Sequence, residues 1–109
     1  MSRLDEAEEY YSKTISLKPD GPGAYIAAGQ FFAAKDKASE ALDTFRKGLR
    51  LFPDNPLLHA NYGIVLKKQG YLDRAAKEFT TTIELDPTNA MALKEKKELE
   101  KAVTEEGKG

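Results

Sequence analysis

"EALDTFRKGLRLFPDNP" (residues 40–56) and "RAAKEFTTTIELDPTNA" (residues 74–90) decide how this chain folds. The two stretches share few letters. Even so, an alanine, a phenylalanine, a branched aliphatic, a leucine and a proline fall at matching offsets in both.

A third copy lies upstream, since Ala7, Ala41 and Ala75 are each thirty-four residues apart. From each alanine, equal steps reach an aromatic (Tyr11, Phe45, Phe79) and then Ile15, Leu49 or Ile83. The next steps reach Leu17, Leu51 or Leu85, and finally Pro19, Pro53 or Pro87. Steps of four between apolar positions match a helix of about 3.6 residues per turn. Each copy therefore predicts an amphipathic helix that stops before its proline, which pushes its predecessor out of the α region.

A second matched helix precedes two of these three. Tyr25, Ala28, Gly29 and Phe32 line up with His59, Tyr62, Gly63 and Leu66, at steps of three and four that mark one apolar face. Gly21 stands before Pro22 and Asn55 before Pro56, and proline suits a first helical turn because its missing N–H would have been unpaired there. "KDKA" (35–38) and "KQGYL" (68–72) separate the members of each pair, with Gly70 free to take a positive φ. The expectation is an all-α chain of about six helices, near 3–17, 22–35, 38–50, 56–69, 72–85 and 90–105. Short turns make successive helices antiparallel. Gly29 against Ala41, and Gly63 against Ala75, would let paired helices approach closely.

Composition narrows the function classes. At 109 residues the chain suits one small domain, and 40% hydrophobic with 32% charged residues is ordinary for a globular protein. A net charge of −1 and a pI near 5.9 provide no bulk field for nucleic acid or anionic membrane. The absence of cysteine removes disulfides and thiol chemistry. No apolar run is long enough to span a membrane, and the acidic start "MSRLDEAEEYY" is unlike a signal peptide, so a soluble cytoplasmic protein is expected.

The thirty-four-residue period, with its small–aromatic–proline helix after a helix bearing aromatic, glycine and large apolar residues, resembles the tetratricopeptide repeat (TPR). The resemblance covers nearly the whole chain: a half repeat at 1–21, repeats at 22–55 and 56–89, and a capping helix with its tail at 90–109. Departures are mild. Tyr25 and His59 stand where the family often has tryptophan, while Thr14, Gly48 and Thr82 take a position that is usually alanine. Gly48 within a helix costs about 1 kcal/mol relative to alanine. The resemblance implies a right-handed solenoid of antiparallel helix pairs that binds proteins rather than transforming substrates.

No catalytic constellation competes with that implication. His59 falls at a core-facing repeat position, and the periodicity already explains it. The run "KEKKELEK" (94–101) mixes both signs as a solvated helix face does, and no phosphate-binding loop is present. No cofactor or metal is implied. Most aromatics occupy repeat core positions with no basic stripe beside them, which argues against base stacking.

In a stacked array the first helices line the concave side. The expected groove residues are Ile26, Gln30, Ala33, Leu57, Ala60, Asn61, Ile64, Lys67 and Lys68, with Lys94 and Glu98 from the last helix. They suit an extended or helical peptide. One TPR subclass clamps chaperone C-terminal carboxylates with lysines, an arginine and asparagines. Of those positions only Asn61 matches; Ile26, Gln30, Met91 and Glu95 hold the others, so a chaperone tail is not the expected partner. The last helix should cap the stack through a stripe of Leu93, Leu99 and Val103. At the opposite end Leu4, Ala7 and Tyr11 have no preceding helix to cover them. That predicts either self-association through this helix or a fragment of a longer array.

Overall fold

Asparagines and prolines set the helix starts. Asn55 Oδ1 accepts the Leu58 N–H at 3.0 Å, and Asn89 Oδ1 accepts the Ala92 N–H at 2.9 Å. The first N–H groups of a helix have no partner inside it, so each such cap stabilises by about 1 kcal/mol. Pro22 and Pro56 each open a helix as its first residue. Gly70, at φ 88, closes the helix before it, and Asp36 does the same thirty-four residues earlier at φ 59.

The computed structural model describes residues 3–108, and side chains from 6 to 102. In order, the helices are α1 (Arg3–Ser16), α2 (Pro22–Ala34), α3 (Ala38–Leu51), α4 (Pro56–Lys68), α5 (Leu72–Leu85) and α6 (Ala90–Lys108). No strand occurs among the described residues. Packing follows chain order: α2 pairs with α3 and α4 with α5, while α3 and α2 both meet α4. The outer helices α1 and α6 pack on α2 and α5. The molecule measures 51 × 28 × 19 Å with a radius of gyration of 14.9 Å. A compact chain of this length would have about 13 Å, so the stack is extended.

Aromatic rings lock each pair. Phe45 and Phe79 are 0% exposed, and each lies against a glycine of the partner helix. A Cβ on Gly29 would fall 2.3 Å from Phe45 Cε1, and one on Gly63 would fall 2.8 Å from Phe79 Cε1. The atoms nearest each glycine thus belong to a ring. Tyr62 adds a polar tie, its hydroxyl accepting from Arg46 Nε on α3 at 3.1 Å and from Arg74 Nη2 on α5 at 3.2 Å.

Some expectations are corrected. Leu17, Leu51 and Leu85 repeat in the sequence but are 78%, 51% and 38% exposed. Each stands two residues beyond Ile15, Leu49 or Ile83, about 200° further round the helix, and so turns away from the core. Leu93 is likewise 45% exposed; α6 docks through Ala92 and Leu99, seven residues apart on one face. Gly48 is better placed than its propensity suggests, because an alanine Cβ there would lie 2.9 Å from Tyr25 Cβ and 3.0 Å from Leu58 Cδ2.

Ala7 and Tyr11 are only partly buried, whereas Ala41 and Phe45, the same positions one repeat later, are fully buried. Tyr11 stacks at 4.9 Å on Phe31 of α2. The side chains of Leu4 and Val103 lie outside the described residues.

Candidate functional site

The helices α2 and α4 pack directly on each other and present a shared outer face, bridged by two amides. Gln30 Nε2–H donates to Asn61 Oδ1 at 3.0 Å, and Asn61 Nδ2–H donates to the Leu57 carbonyl at 2.8 Å. These bonds hold both amides in place while leaving the Gln30 oxygen free to accept and each amide one N–H free to donate. Ile26 and Ile64 flank them half-buried, with Leu57 half-exposed.

Beside the amides runs a trough. An open cavity of about 250 Å³ between α2 and α4 is lined by Ala33, Asp36, Ile64 and Lys68 among others. A second, of about 290 Å³, lies between α4 and α6 and is lined by Ile64, Lys67, Lys68 and Glu95. Both are lined by Ile64 and Lys68, so the two hollows neighbour each other along a channel-like face of α2, α4 and α6.

Lys67 is not a free cation in this channel. Its Nζ donates to Glu95 and, at 3.4 Å, to Glu98, so it fastens α4 to α6. The hydrogen bond to Glu95 raises the Lys67 ammonium above its ordinary 10.5, outweighing the lowering by burial, with Glu98 adding to the rise. The cations left to a ligand on this face are Lys68 and Lys94, both exposed, with Asp36 lining the same cavity as Lys68.

Of the expected groove residues, the structure brings Ala33, Ile64, Lys67 and Lys68 together in the channel. Gln30 and Asn61 meet each other, with Ile26 and Leu57 on the same two helices. Glu98 touches the channel only through Lys67, and Lys94 does not line it. Ala60 is a correction: at 0% exposed it sits in the packing between helices, where no ligand reaches it. Glu95 and Asp36 are channel residues that the groove reading missed. The pairing of Glu95 with Lys67 had one sequence signal, two opposite charges on successive first helices.

His59 serves packing. Its Nε2–H donates to the Pro53 carbonyl at 2.6 Å, and its Nδ1 meets Glu78 Oε1 at 2.7 Å. Both ring nitrogens are thereby occupied, tying α4 to α5 and to the turn before α4. Among the described residues no three of His, Cys, Asp and Glu group to hold a metal, and no helix is long and apolar enough to cross a membrane.

No protein-family model matches the chain. It is 35% identical over 95 residues to the human protein O-mannosyl-transferase TMTC3, a match covering 84% of this chain and 10% of that protein. It is 27% identical over 92 residues to the TPR repeat-containing protein PA4667 of Pseudomonas aeruginosa, covering 84% of this chain and 16% of that one. The chain thus spans a small part of the curated relatives it matches. Among solved structures, the first TPR domain of Spaghetti (RPAP3), bound to the HSP90 peptide SRMEEVD, superposes with a TM-score of 0.84 at 20% identity. That superposition covers 94% of this chain and 81% of the other. Repeat spacing, helix order and superposition converge on a right-handed solenoid of helix pairs, and the chain has the fold of tetratricopeptide-repeat domains.

Proposed function

We propose that this chain is a protein-interaction module that takes an extended peptide segment of a partner across α2, α4 and α6. The amide pair Gln30–Asn61 is the observation that carries this reading. A peptide backbone offers alternating donors and acceptors, and two orientated amides match one peptide unit without specifying its side chain. The channel past Ile64 and Ala33 supplies apolar contact, and Lys68 favours a partner with an acidic residue at that end. That the superposed TPR domain is bound to a peptide supports the reading of a peptide-binding module. Its acidic tail is not the partner suited here, since Ile26, Gln30, Met91 and Glu95 hold the positions where carboxylate-clamping cations are expected. On this reading residues 22–55 and 56–89 form the two working repeats.

Panning a random peptide library and measuring affinity by titration tests the proposal. The double variant Gln30→Ala, Asn61→Ala should weaken selected peptides by at least about tenfold, with an unchanged thermal midpoint because neither side chain is in the core. Selected peptides that bind the double variant as well as the parent would overturn it.

One observation favours a second reading, an assembly element. Tyr10 is 64% exposed on α1, whereas Thr44, its counterpart on α3, is 5% exposed. Sedimentation at rising concentration, with Tyr11→Glu as control, tests whether a second copy covers this face.

A further inference from the structure

A different cavity opens on the face formed by α1 and α3, away from the amide pair. Its volume is about 320 Å³, and its apolar wall is Ile15, Tyr25 and Leu51. Lys18, Lys47 and Arg50 form its rim, and no carboxylate lines it. The protein as a whole carries a net charge of −1, so three cations around one opening depart from the average surface. Lys47 pairs with Asp43 at 3.1 Å, an exposed contact that restrains it little. Helix ends favour cations for their own sake, which accounts for part of the charge but not for the apolar hollow beneath it.

A further observation points to a ligand. Tyr25 is 2% exposed and lines the cavity, yet its hydroxyl makes no hydrogen bond to the described residues. No enclosed side-chain polar atom there lacks a partner, so the hydroxyl must be the part of Tyr25 that opens into the hollow. Lys18 takes φ 53, while its repeat counterparts Phe52 and Asp86 keep negative φ, at −129 and −142. As at Asp36, this left-handed turn ends the helix before it, the Lys18 N–H donating to the Ile15 carbonyl at 3.1 Å, and it sets Lys18 at the rim.

We propose that this cavity is a second binding site, which takes an apolar side chain flanked by carboxylates from an acidic segment of a partner protein. The apolar side chain would fill the hollow over Ile15 and Leu51. Its neighbouring carboxylates would meet Lys18 and Arg50, and the Tyr25 hydroxyl would bond the peptide backbone or a carboxylate. Such a site reads charge and bulk together, unlike the amide pair, which reads backbone.

The probe is a fluorescein-labelled peptide, DELFDE, titrated against the whole chain by anisotropy. Two control peptides accompany it, one with Lys for each acid and one with Ala for Leu and Phe. Binding of DELFDE alone, falling as salt is raised, is the expected result. The variant Lys18→Glu, Arg50→Glu should weaken it about tenfold or more, while Gln30→Ala, Asn61→Ala leaves it unchanged. Both exposed side chains can be reversed without touching the core, and circular dichroism checks that the fold persists. No saturable binding by the parent, equal binding by the charge-reversed variant, or loss in the amide variant instead would each overturn the proposal. So would sedimentation showing that a second copy of this chain occupies the cavity.

Discussion

Replacing Gly29 by alanine tests how tightly α2 and α3 are locked. The new methyl would stand 2.3 Å from both Cε1 and Cζ of Phe45. Carbon atoms rest about 3.5–4.0 Å apart, so the ring must retreat by more than about 1 Å. Phe45 is 0% exposed, so the ring can retreat only against its core neighbours. Overpacking of this kind destabilises by about 1–3 kcal/mol, and the severity of the clash puts it at the upper end. Alanine also returns about 1 kcal/mol of helix propensity, leaving a net loss near 2 kcal/mol. Gly63→Ala brings a milder clash, 2.8 Å to Phe79 Cε1, and the two effects should nearly cancel. At Gly23 nothing lies within 4 Å, so Gly23→Ala should stabilise by about 0.4–1 kcal/mol. Urea unfolding of the three variants reads these values directly, and adding Phe45→Leu to Gly29→Ala should recover part of the loss. A Gly29→Ala variant as stable as the parent, or a reversed order in the series, would refute the seating of Phe45 on Gly29.

Phe79→Ala should destabilise by about 3–5 kcal/mol in the same assay, because it empties a fully buried site between α4 and α5. The tie from Lys67 to Glu95 raises the lysine above 10.5, so its stabilising contribution is whole below that pH and fades as pH climbs through the raised value. The gap in thermal midpoint between parent and Lys67→Met should therefore be constant near neutrality and shrink above pH 10.5. Deleting residues 90–109 uncovers the α5 surface that Ala92 and Leu99 bury, and aggregation on light scattering is the expected outcome.

Repeat spacing carried most of the fold. Ala41, Phe45, Ala75 and Phe79 were legible as core because period and helix geometry agree on them, and all four are fully enclosed. The leucines at 17, 51 and 85 misled because recurrence every thirty-four residues conserves a position without saying which way it points. Ala60 misled in the opposite sense: small residues suit a groove wall and a close helix contact equally, and only the packing of α4 distinguishes the two. The amides at 30 and 61 were placed on the right helices, but their mutual bond depends on the offset between α2 and α4, a distance no single-helix pattern encodes. The cavity at Lys18 and Arg50 lay beyond reach, since residues from the end of α1, from α2 and from the end of α3 line it together.

The packing of each helix chiefly on its chain neighbours has a mechanical consequence. Load applied to the two ends of this stack passes through its helix contacts in series, so the softest contact sets the compliance of the whole. Across the α2–α4–α6 face the side-chain polar links are few: one amide bond between Gln30 and Asn61, then the Lys67 tie to Glu95 and Glu98. A segment lying along that face would act in parallel with both, as a splint does. Its occupancy would stiffen the array along its 51 Å length, far beyond the residues it touches.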